Sequence, residues 1–92
     1  MKKSQMDFFR ALQEIQELTI QIMLCNEHKY DTTENLLIDT TYDAIYRIME
    51  LIDGYRKEAL NLDIVDKNTS ESIKEGIQLH DKCVEFLQCT DV

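Results

Sequence analysis

The segments HDKC, at residues 80–83, and CNEH, at residues 25–28, carry the same two chemically capable residues in mirror order. Each places one Cys and one His three positions apart, which on a helix makes their side chains neighbours. Two helices that each donate such a pair can close a zinc site, here with Cys25, His28, His80 and Cys83 as the ligands. The periodicity set out below turns His80 and Cys83 inward and leaves Cys25 at the edge of an apolar face. His28, three residues beyond Cys25, is carried round by about 300° to the polar side of Arg10 and Gln21. Short zinc spacings also join their pairs through tight turns, not across more than fifty residues of helix. The structural account of these residues is the stronger one. Cys behaves as a small hydrophobe, His28 suits a helix end where a cation meets the dipole, and His80 reads as a core histidine satisfied by one hydrogen bond. No metal is favoured and no cofactor is expected.

Other catalytic constellations fail on spacing. Glu14 and Glu17, in EIQE, have the i,i+3 separation of a di-iron half-site, but no Glu-x-x-His occurs and both acids fall on a polar side. The two His sit on separate predicted helices, and Ser4, Ser70 and Ser72 fall at predicted helix starts, so no Ser-His-Asp set can be specified. Neither GxGxxG nor GxxxxGK[ST] is present to cradle phosphate. No Cys lies at a predicted helix N-terminus, where its thiolate would be favoured. Cys89, near the end of the sequence, is the thiol expected to be exposed. Enzyme activity is the class these residues support least.

A different chemistry is available on the second predicted helix. Asp39, Asp43 and Glu50 form an acidic stripe beside Tyr46, with Tyr42 one turn away. A water-facing side explains the stripe. A contact patch for a basic protein, built from Asp39, Asp43, Glu50, Tyr42 and Tyr46, is the sharper interpretation, because Tyr buries its ring while keeping its hydroxyl wet and is common at interfaces.

Three helices must position these groups. In the first, from about Ser4 to about Lys29, Phe8, Leu12, Ile15, Leu18, Ile22 and Cys25 recur at steps of three and four. Ser4 with Asp7 resembles a capping box. YDTTENLL then breaks and restarts the chain, with Asp31, Thr32 and Thr33 each able to cap. The second helix is predicted from about Thr33 to about Asp53, with Gly54 as its C-terminal stop. A link this short makes the pair antiparallel. Residues 55–69 are ambiguous. Leu60, Leu62 and Ile64 alternate as in a strand, while Tyr55, Ala59 and Leu62 extend the second helix's stripe; an extended connector is preferred. A strand there needs a hairpin partner or a second copy. The third helix is predicted from Thr69 or Ser70 to about Cys89.

The chain has 92 residues, no Pro and two Gly, a composition of one helical domain over residues 1–92. Its net charge of −8 disfavours direct binding to nucleic acid or anionic membrane. The odd count of three Cys at irregular spacing predicts reduced thiols in a cytoplasm rather than a disulfide framework. Asp7, Arg10 and Glu14 interrupt any signal-peptide core, and no segment approaches a membrane span. The apolar faces are wider than three helices can hide, so an isologous homodimer is expected to complete the bundle. The fold class is all-α: a small bundle of an antiparallel hairpin plus a third helix, after a connector that can hold a short strand. The expected function is a protein–protein interaction, regulatory or inhibitor module with a partner of basic character. The alternatives are a metal- or small-ligand-binding protein centred on His80 and Cys83, and an acidic decoy that mimics nucleic acid.

Overall fold

The computed structural model describes residues 1–56 and 60–90. Among these residues three helices and one hairpin form: α1 (Lys3–Asn26), α2 (Thr33–Asp53), β1 (Val65–Asp66), β2 (Glu71–Ser72) and α3 (Leu79–Phe86), with a 3₁₀ turn (Glu27–Lys29) after α1. The small all-α bundle with an antiparallel helical pair is therefore present, and the connector does hold a strand, although at Val65–Asp66 and not at the alternating Leu60, Leu62 and Ile64, which precede it without regular structure. Its partner is local, Val65 pairing with Ser72 and Asp66 with Glu71. The assignment of Ala59 to a continued stripe lies outside the described residues. No helix among the described residues is long and apolar enough to cross a membrane.

Capping chemistry sets the helix ends. In α1 the Lys2 N–H donates to Gln5 Oε1 at 2.7 Å, so Gln5, not Ser4, closes the first turn. At the other end Asn26 Nδ2 donates to the Ile22 carbonyl at 2.8 Å. Thr32 Oγ1 accepts the Asn35 N–H at 3.1 Å and starts α2. Gly54 stops it in the left-handed region, at φ 84°, with its N–H and that of Tyr55 returned to the Leu51 and Glu50 carbonyls.

The α1–α2 contact holds the core. Ala11, Ile15 and Leu51 form its buried centre, and Phe8, Leu12, Ile48, Leu60 and Leu62 pack around them. Leu60 and Leu62 thus bring the connector over the apolar surface of the hairpin. The buried line on α1 is Ala11, Ile15, Thr19 and Met23, a strict i,i+4 row. It differs from the expected set at Leu18, Ile22 and Cys25. Thr19 is tolerated inside because its hydroxyl donates to Asp43 on α2 at 2.9 Å.

The third helix departs most from expectation. It starts at Leu79, not at Thr69 or Ser70, and ends at Phe86, not near Cys89. Thr69 and Ser70 belong to the turn of the hairpin: Ser70 N donates to the Asp66 carbonyl at 2.7 Å, and Thr69 Oγ1 accepts the Glu71 N–H at 3.2 Å. Ser70 itself has φ 62° and Gly76 has φ 73°, both left-handed and incompatible with a continuing helix. Lys74 reaches back to donate to the Ile52 carbonyl at 2.9 Å, where α2 ends with carbonyls in need of donors.

Candidate functional site

Asp53 is the last residue of α2 and its side chain is only 1% exposed. Its Oδ2 accepts the backbone N–H of His80 at 2.9 Å and lies 2.7 Å from His80 Nδ1. Gln78, the residue before α3, makes no side-chain cap, so Asp53 caps α3 from another helix. Burial alone raises the Asp53 pKa, but the hydrogen bonds from the His80 and Leu79 backbone and the His80 ring hold it below the usual carboxylate range. An ionised carboxylate only accepts, so Nδ1 carries the proton and donates it. The other ring nitrogen, Nε2, lies 3.4 Å from Oδ1 of Asp81. Tyr46 and Tyr55 meet the imidazole edge-on, at centroid distances of 5.6 and 4.7 Å. Tyr42 stacks on Tyr46 at 6.1 Å.

A second carboxylate organises the other end of α2. Asp39 accepts the Tyr30 hydroxyl at 2.7 Å and both the N–H and the hydroxyl of Thr90. Burial, then the hydrogen bond to Asp39, pushes the Tyr30 pKa up to about 12. Asp39 is held below its usual range: burial opposes this, and the Thr90 and Tyr30 hydrogen bonds overcome it. Asp43 takes the Thr19 hydroxyl and is also paired with Arg47 Nε at 2.8 Å.

The acidic stripe expected on α2 is therefore not one open surface. Asp39 and Asp43 are spent on internal bonds, to the C-terminal segment and to α1. Glu50 remains half-buried beside Tyr46, where it and Asp81 add to burial in raising the Tyr46 pKa. Asp81, 67% exposed at its side chain, was not among the expected residues; only its place next to His80 in HDKC hinted at it.

The four Cys and His residues are not brought together. Cys25 is exposed near the C-terminal end of α1 and His28 is exposed in the 3₁₀ turn. The Thr19–Asp43 bond fixes the antiparallel register, which puts Cys25 roughly 24 Å along α2 from Asp53 and His80. Among the described residues, no three His, Cys, Asp or Glu side chains are grouped to hold a metal ion. Cys83 is buried in α3, its Sγ 3.8 Å from the Leu79 carbonyl, and burial followed by the charge of Asp53 pushes its thiol pKa up. That environment keeps the thiol protonated and unreactive. No protein-family model, curated protein or solved structure matches the chain.

Proposed function

We propose that this protein is a non-enzymatic interaction module, acting as a regulator or inhibitor of a basic protein partner in a cytoplasmic setting and working as a homodimer. The observation that carries the reading is that Glu50 and Asp81 lie beside the Tyr46 ring, which meets His80 together with the Tyr55 ring. Tyr55 is 61% exposed and Asp81 largely so, and Asp81 is engaged only by the 3.4 Å contact to His80 Nε2 among the described residues. Ring faces beside carboxylates suit a Lys or Arg side chain, which gains from the cation–π contact and the charge together. His80, anchored to Asp53 through Nδ1, forms the firm floor of this surface. The contact set is accordingly Tyr42, Tyr46, Tyr55, Glu50 and Asp81.

The chain has no Trp and three of its four Tyr lie on this surface, Tyr30 being bonded to Asp39, so tyrosine fluorescence reports mainly on it. Titration with an Arg- and Lys-rich peptide is expected to change that signal saturably in the wild type. The double variant Glu50→Lys, Asp81→Lys is expected to lose binding by about 100-fold, roughly tenfold for each charge reversed on this solvent-screened surface. Undiminished binding by the double variant sinks this assignment.

A further inference from the structure

We propose that the groove between α1 and α2 is the face on which a second copy of this chain docks, forming an isologous pair. This rests on the homodimer reading above and locates its interface. The groove has a volume of about 570 Å³ and is lined by Phe9, Gln13, Gln16, Ile20, Ala44 and Ile48 among others. Phe9 is 55% exposed and Ile20 49%.

Two features select a second copy as the occupant. The first is charge. No charged residue lines the groove among those described, on a chain whose net charge is −8. A basic partner has nothing to recognise there, whereas an equally acidic copy meets the least repulsion. The second is self-complementarity, which a two-fold interface demands because each patch faces itself. Thr19 and Thr40 spend their hydroxyls internally, on Asp43 and on the Leu36 carbonyl. That leaves the Gln13 and Gln16 amides as the open polar groups, and an amide both donates and accepts, so it can pair with its own symmetry mate. The apolar surface between α2 and α3, by contrast, includes the charged Lys82.

Light scattering across a micromolar concentration series tests this on the full chain. The wild type is expected to be a dimer, and Ile20→Glu and Gln16→Glu are each expected to weaken it by about 100-fold. Both positions are exposed, so unchanged circular dichroism should accompany the loss. Phe86→Glu, on the α2/α3 side, is expected to leave the dimer intact. A monomeric wild type overturns the homodimer reading itself. A dimer that survives Ile20→Glu and Gln16→Glu but dissociates on Phe86→Glu keeps that reading and overturns the groove.

Discussion

Asp53 shows how one side chain can set the position of an element remote in sequence. It ends α2, caps α3 and orients His80, so its removal leaves buried donors without an acceptor. Asp53→Ala is expected to cost about 3 kcal/mol at neutral pH, the scale for breaking a buried charge-assisted pair. The same residue fixes an acid dependence. Because its pKa is lowered in the folded state, its stabilisation is fully present above the unfolded value near 3.9 and is lost as pH falls through the folded value. Urea unfolding at about pH 7 and about pH 3 checks both: the gap between wild type and variant should be smaller at the second, by about 1 kcal/mol at most, because only the step from about 3.9 to 3 has been crossed. An equal gap at both would remove the charge from the explanation. Hydropathy places such a carboxylate on a helix but says nothing of what its oxygens accept. Asp39 and Asp43 looked solvated in the sequence for that reason, and only the positions of Thr90 and Thr19 show otherwise.

At the scale of elements, legibility followed the distance to the capping partner. Both ends of α2 were readable because Thr32 and Gly54 act within their own turns. The start of α3 was not, because its cap comes from Asp53 and because Ser70 and Glu71, good helix-start residues, are diverted into a hairpin. Apolar residues at Ile73 and Ile77 then mimic a helical period across turns; both are in fact exposed. The hairpin carries a local strain that gives it a prediction of its own. Ser70 is a non-glycine residue at φ 62°, where a Cβ crowds the following carbonyl at a cost of roughly 1–2 kcal/mol. Ser70→Gly relieves that crowding but frees the unfolded chain, so a net gain of about 0.5 kcal/mol is expected. A rise in melting temperature registers it. A fall would mean that the serine side chain, not the backbone, stabilises the turn.

At the scale of the whole molecule, shape and charge act together. The radius of gyration is 15.0 Å, against roughly 12 Å for a compact chain of this length. This elongation leaves more surface uncovered than a closed bundle would, and the width of the apolar faces was the part of it visible in the sequence. The two proposed interfaces then differ in the sign of their response to salt. Two copies that each carry a charge of −8 repel at every distance within the Debye length, which shrinks from about 10 Å at 0.1 M salt to about 3 Å at 1 M. If the contact itself is a charge-free groove, added salt removes only repulsion, and the dimer should tighten by about three- to tenfold over that range. A basic peptide on Tyr46, Tyr55, Glu50 and Asp81 is held by attraction, which the same salt screens, so its binding should weaken over the same range. Measuring both constants in one salt series separates the surfaces without any mutation. A dimer that loosens with salt would be held by ion pairs, which the α1/α2 groove does not offer, and its interface would have to lie on a charged face instead.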